Sequence, residues 1–358
     1  MIKQPFTLLY FTGLMTLTKH LLLLGNVIPK HGKRLNSKNL TFEQTNRFKG
    51  LLILLIVFGH ISQLFEQYSS LHATLYSFHV VSFLLLPFLF NKDILNFQNI
   101  KKNLRRIYIP YTLFFLLSLL IYSILKQQFN PLSAITGWFI GSSALLKIDT
   151  GLRVFWFFPT LMFTLMLIML FNTLSKSKKK IFFFLMTLGH LLIPLIPKVY
   201  LFYFPLSSYV SIYLFVIGIT VQYIYNNLNY TNYPIWLYTL LFITALYLAY
   251  GSNFSLASAI FPNILDNPYN FILQSIIMVL GFFTLLMWSK EIHSFEFFGK
   301  YSLAIFTIHP FVIQALNIVY PWYSFTDGLI KFLLVISFTY FILKVIYYFN
   351  LNKFIYPK

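Results

Sequence analysis

Apolar stretches of roughly 17 to 23 residues recur ten times along the chain, each long enough to cross a ~30 Å hydrocarbon layer as a helix. They run over 50–66, 74–90, 107–125, 154–174, 181–197, 208–225, 235–250, 271–289, 302–320 and 329–349. Every backbone N–H and C=O inside a bilayer needs a partner within the protein, so only helices or a closed barrel can cross it. The alternation of a barrel strand is absent from these stretches, which leaves helices. Charge agrees: 10% of the residues are charged, where a soluble chain carries about 25%. The sequence therefore predicts an all-α integral membrane protein, a polytopic bundle of about ten transmembrane helices.

The net charge of +19 would suit a nucleic-acid partner if it formed one basic face. Here the Lys and Arg residues fall between the apolar stretches, as cytoplasmic loops of membrane proteins do. With ten alternating spans and a cytoplasmic start, 22 of the 27 Lys and Arg fall inside and 5 outside. Both termini are expected in the cytoplasm, with multi-pass insertion in the inner or plasma membrane. Residues 1–46 read as a basic, amphipathic N-terminal segment, 47–350 as one membrane domain and 351–358 as a cytoplasmic tail. The apolar run 5–28 is interrupted by Lys19 and His20, and is an interfacial helix or an eleventh span. The stretch 131–147 is broken by Gly and Ser and is expected to lie in the interface or dip into the bilayer.

Composition excludes several chemistries. There is no cysteine, so there is no thiolate nucleophile, disulfide or Cys-ligated metal. All eight acids fall in loops or at the ends of the apolar stretches, whereas a proton-coupled carrier places a carboxylate at membrane depth. No metal site and no nucleic-acid partner is expected. Ionisable groups inside spans are costly and are functional candidates by default; here these are chiefly His60, His79, His190 and His309. Lys49 and His60 stand eleven residues apart, which at 100° per residue puts them on one helix face about 16 Å apart. Gln63 and Gln67 are expected to prolong that face. His190, like His20, His31, His72 and His293, has no motif around it and reads as structural.

The run Arg47-Phe48-Lys49-Gly50 through Gly59-His60 resembles the opening helix of the membrane acyltransferase-3 family, a basic residue followed after ten residues by His. Four further segments match in the same order: Phe78-His79; the basic run Lys101-Lys102-Asn103-Leu104-Arg105-Arg106 ending in Ile109-Pro110-Tyr111; Trp156-Phe157-Phe158-Pro159; and Gly299-Lys300-Tyr301-Ser302 leading to Ile308-His309-Pro310. Two departures stand out: Leu86-Pro87-Phe88 replaces the family's Ser-Gly, and the Trp-Ser-Leu variant seen in one branch is missing.

The resemblance implies an O-acyltransferase that moves an acyl group, commonly acetyl, from acetyl-CoA to a hydroxyl of a surface polysaccharide or its lipid-linked precursor. It implies His60 as general base or acyl relay, with Lys49 holding a coenzyme phosphate near the cavity entrance and His79 orienting the sugar or the acyl carbonyl. Lys101, Lys102, Arg105 and Arg106 would hold the coenzyme phosphates, although plain positive-inside topology places the same residues there. Gln63, Trp156, Ser302 and His309 would line the cavity. The competing function is a polysaccharide exporter or flippase, which needs neither acyl-CoA nor the Lys49 and His60 pair.

Overall fold

The computed structural model describes residues 40–65, 72, 75, 78–126, 130–141, 143–192, 206–227, 234–251, 268–290 and 292–357. Among the described residues the secondary structure is entirely helical. The helices are α1 Phe42–Gly59, α2 His79–Phe90, α3 Phe97–Lys126, α4 Pro131–Ile140, α5 Ser143–Thr150, α6 Phe157–Thr173 and α7 Lys176–Leu192, followed by α8 Leu206–Asn227, α9 Ile235–Gly251, α10 Pro268–Ser289, α11 Phe295–Lys300, α12 Ser302–Val319, α13 Phe325–Tyr348 and α14 Asn352–Ile355. Each of the ten apolar stretches overlaps one of them. Four segments are long and apolar enough to cross a membrane: Phe97–Leu125, Val154–Thr173, Ser302–Val319 and Phe325–Tyr348. The run 5–28 and Gln67 lie outside the described residues.

The surface is consistent with lipid as solvent. On α3, Leu113, Leu116, Leu117, Leu120 and Ile124 are exposed and repeat at the spacing of one helix face. On α13, Leu333, Phe341 and Tyr348 are exposed, while Val335, Thr339 and Leu343 turn inward. Polar groups inside the bundle bond back to their own helices. Thr160 and Thr164 donate to the Trp156 and Thr160 carbonyls, and the Thr164 hydroxyl also meets Ser211 of α8 at 3.2 Å.

Helix α1 lies at the centre of the part that matters for function. A capping box starts it: the Thr41 hydroxyl accepts from the Gln44 N–H, and the Gln44 side chain accepts from the Thr41 N–H. It packs against α2, α10, α11 and α12, with the Phe48 and Phe282 rings edge to face at 5.1 Å. The approach of α11 is the tightest found at a glycine among the described residues. A Cβ on Gly50 would lie 1.8 Å from the Phe295 carbonyl oxygen, and one on Gly299 would lie 1.7 Å from that of Asn46. Only residues without a side chain let these two backbones meet. Arg47 clamps the contact, donating from Nη1 to the Lys290 carbonyl at 2.7 Å with its Nε 3.8 Å from Glu296 Oε2.

Helix α1 departs from the sequence expectation in its limits. It begins at Phe42, eight residues before the apolar stretch, and ends at Gly59 rather than continuing to residue 66. His60 is its C-cap, Ile61 is extended, and Ser62–Leu64 form a 3-10 turn. The polar face running on through Gln63 is therefore replaced by a turn, and Gln63 is presented from that turn. The broken stretch after residue 130 forms a helical hairpin, α4 and α5, joined through Gly141 at φ 69°. Its arms of 10 and 8 residues reach about 15 Å and 12 Å, too short to cross a bilayer. A Cβ on Gly141 would meet the Pro159 ring at 2.9 Å, so the hairpin tip rests on the Trp156–Pro159 segment.

Candidate active site

Gly299 lies against the start of α1 and His309 against its end, so α1 and α12 run side by side in the same direction. This brings two histidines from distant parts of the sequence together. His60 Nδ1 is 3.0 Å from His309 Nε2, with the ring centroids 5.1 Å apart and the planes 24° from parallel. His309 is fully buried and His60 half-buried.

Hydrogen-bond chemistry assigns the protons. His309 Nδ1 stands 2.9 Å from the Ile305 carbonyl, and a carbonyl can only accept, so Nδ1 carries the hydrogen. Neutral His309 then has its lone pair on Nε2 and accepts from His60 Nδ1–H. That leaves the lone pair of neutral His60 on Nε2, the form a general base requires. The residue after His309 contributes too. Pro310 has no N–H to give the Phe306 carbonyl, and the His309 ring faces both that carbonyl and the Ile305 carbonyl. The His-Pro pair thus sets the ring in one orientation.

His79 opens α2, is fully buried and donates from Nδ1 to the Leu75 carbonyl. Together with His72 it lies within electrostatic reach of His60. His72, read from sequence as structural, is therefore part of the neighbourhood, with its ring 5.0 Å from that of Phe65. Among the described residues no group of three His, Cys, Asp or Glu side chains is placed to hold a metal.

Lys49 stands eleven residues back along α1, about 16 Å from His60 along the axis. It is half-buried and within electrostatic reach of Arg106. Lys101, Lys102, Arg105 and Arg106 are exposed near the start of α3, and Lys102 Nζ pairs with Asp93 Oδ2 at 2.6 Å. Ser302 is buried at the start of α12, about 10 Å before His309 along the helix, so it belongs nearer the Lys49 end. Trp156 is buried and reaches the histidine pair only through other rings: Trp156 to Phe157, Phe157 to Phe306 at 4.5 Å, and Phe306 to His309 at 5.8 Å.

Gln63 meets a residue that sequence reasoning passed over as a loop cation. Lys331 of α13 is 1% exposed, and its Nζ donates to Gln63 Oε1 at 3.1 Å and to Asn317 Oδ1. Its position inside the apolar run that begins at residue 329 was the available signal.

A family model described as an acyltransferase domain matches residues 45–348, nearly the whole of the described bundle. The chain belongs to the acyltransferase-3 family. It is a membrane protein and an acyltransferase. The matched segment begins just before the clamp formed by Arg47 and Gly50 and includes both histidines of the pair. No curated protein and no solved structure matches this acyltransferase.

Proposed function

We propose that this acyltransferase moves an acyl group, acetyl by the family's habit, from acyl-CoA to a hydroxyl of a surface polysaccharide or its lipid-linked precursor. The observation that carries the reading is the His60 and His309 pair, whose hydrogen bonds leave the basic lone pair on His60 Nε2. A sugar hydroxyl is a poor nucleophile at neutral pH. His60 Nε2 takes its proton as the oxygen attacks the thioester carbonyl; a C–O bond forms, the C–S bond breaks, and the proton passes to the departing coenzyme A thiolate. His309 is a positioning residue that holds the His60 tautomer. His79 is assigned the orientation of the acceptor or the acyl carbonyl, a role supported by its electrostatic influence on His60.

The donor enters at the Lys49 end. Lys49 and Arg106, two cations held near one another, suit a multiply anionic phosphate group, with Lys101 and Arg105 exposed alongside. The basic loops support a cytoplasmic location for this end, where acyl-CoA is found, with the histidine pair toward the opposite face of the inner or plasma membrane. Acyl-CoA, the glycan acceptor and membrane lipid are the partners this reading requires.

The test compares surface glycan from a deletion strain rescued with wild-type protein or with His60→Ala. Proton NMR before and after mild alkali counts ester-linked acyl groups, with protein levels checked by immunoblot. Acyl groups restored by the wild type and not by the variant are the expected result. Normal acylation in the deletion strain, with glycan retained inside the cell, would refute the transferase and indicate an exporter. An acyl-protein released by neutral hydroxylamine would turn the base into a covalent His60 relay.

A further inference from the structure

The segment after α13 folds back onto the bundle and reaches the helix that carries His309. Asn350 makes the turn: its φ of 57° is the left-handed conformation that Asn tolerates. The Leu351 N–H bonds to the Ile346 carbonyl at 3.0 Å and the Asn350 N–H to the Tyr347 carbonyl at 3.1 Å, a complete Schellman closure of α13. Helix α14 then packs against α3. Tyr356, which follows it, lays its ring on Phe114 of α3, with centroids 6.3 Å apart and planes 26° from parallel. Its hydroxyl meets that of Thr307 at 2.7 Å. Thr307 is fully buried and gives its single hydrogen to the Ala304 carbonyl at 3.0 Å, so Tyr356 is the donor between the two hydroxyls.

Thr307 comes two residues before His309, which at 100° per residue puts the two side chains on nearly opposite faces of α12. The turn they share lacks one rung of its ladder, because Pro310 has no N–H for the Phe306 carbonyl. Helices bend at such a point. The contact from His60 to His309 spans 3.0 Å, and a hydrogen bond of this kind weakens beyond about 3.2 Å, so α12 has little freedom to bend there. We propose that Tyr356 is a positioning residue: through Thr307 it braces the proline turn of α12 on the side opposite His60 and keeps His309 in register with the base. The Phe114 ring fixes the direction of the Tyr356 hydroxyl. The proposal rests on the transferase reading for what the histidine pair does, but one of its two readouts needs no turnover.

Tyr356→Phe removes the donor hydroxyl and keeps the ring; Thr307→Val removes its acceptor. Each is expected to lower kcat about three- to tenfold, the worth of one hydrogen bond, with the KM for acyl-CoA unchanged. Both remove the same bond, so the double variant should be no slower than the slower single variant. Thr307→Ser keeps the hydroxyl and should keep the rate. The second readout is the nitrogen-15 spectrum of histidine-labelled protein in lipid nanodiscs, with His309 assigned by its loss in His309→Gln. The wild type should show His309 with a bare Nε2 alone, and Tyr356→Phe a mixture with the other tautomer. A Tyr356→Phe protein with the wild-type kcat and the wild-type His309 signal, even one that melts lower, overturns the proposal and leaves the transferase reading standing. Additive losses in the double variant also overturn it. Where Thr307→Val does not fold, Tyr356→Phe decides by itself. A tautomer mixture in Tyr356→Phe, when even the wild type transfers no acyl group, upholds the brace and removes the transferase reading.

Discussion

Replacing Gly50 by Ala tests the close backbone contact between α1 and α11. The added methyl would start 1.8 Å from the Phe295 carbonyl oxygen, where real Cβ contacts stay above 3.0 Å, so α1 and α11 must part by about 1.2 Å. The obstacle is backbone, which cannot rotate away. Forcing an extra carbon into a packed site costs about 1–3 kcal/mol. The same displacement stretches the 2.7 Å bond from Arg47 to the Lys290 carbonyl past hydrogen-bonding range, and a bond from a charged donor is worth about 1.5–3 kcal/mol. Against this, Ala gains roughly 1 kcal/mol of helix propensity over Gly. The net destabilisation is about 1.5–5 kcal/mol, a fall of roughly 2–7 °C in Tm for a chain of this size. Gly189 of α7 supplies the control, because among the described residues its added Cβ would meet only Ile212 Cγ2, at an ordinary 3.5 Å. Gly189→Ala should keep the propensity gain and melt at or slightly above the wild type. Scanning fluorimetry of detergent-solubilised protein reads both. A Gly50→Ala protein as stable as the wild type would refute the close backbone approach, and with it the way α12 is carried to His60.

Three further outcomes follow from the site. His309→Phe removes the acceptor of His60 Nδ1–H and should lower acyl transfer about 10²–10⁴-fold with little change in KM; His309→Gln, which offers an oxygen there, should retain more activity, and equal rates for the two would remove the tautomer argument. Arg106→Ala and Lys49→Ala should each raise the KM for acyl-CoA about tenfold with kcat preserved, whereas an effect on the acceptor KM alone would move the donor site elsewhere. Lys102→Ala breaks an exposed pair with Asp93 and should shift the melting point by less than about 1 kcal/mol permits. A larger loss in the same scanning assay would mean that the pair holds the loop before α3 in place.

Helix identity was readable from the sequence because apolar runs of spanning length have few other ways to satisfy their backbones. Helix limits were less so. The Thr41 and Gln44 capping box lies in a polar segment with no hydropathy signal, and α1 ends at His60 where composition alone shows a continuing apolar run. His60 and His309 could be singled out from their motifs. Their contact could not, since it depends on Gly50 and Gly299 bringing two elements almost 250 residues apart into register. Lys331 illustrates the opposite failure. Counted with the loops for its charge, it is buried among Gln63, Asn317 and Trp322, and two carboxamides and an indole drawn from separate segments have no linear spacing to recognise.

The string of bonds from His60 through His309 ends on the Ile305 carbonyl, a neutral peptide group. Where a carboxylate occupies that place, the protonated ring becomes half of an ion pair and can hold its charge. A peptide dipole offers much less, so a proton taken by His60 is held only in transit. In the proposed reaction the acceptor hydroxyl supplies that proton and the coenzyme thiolate removes it, so each turnover closes its own proton account. Acyl transfer in sealed proteoliposomes should then proceed at the same rate with or without a protonophore.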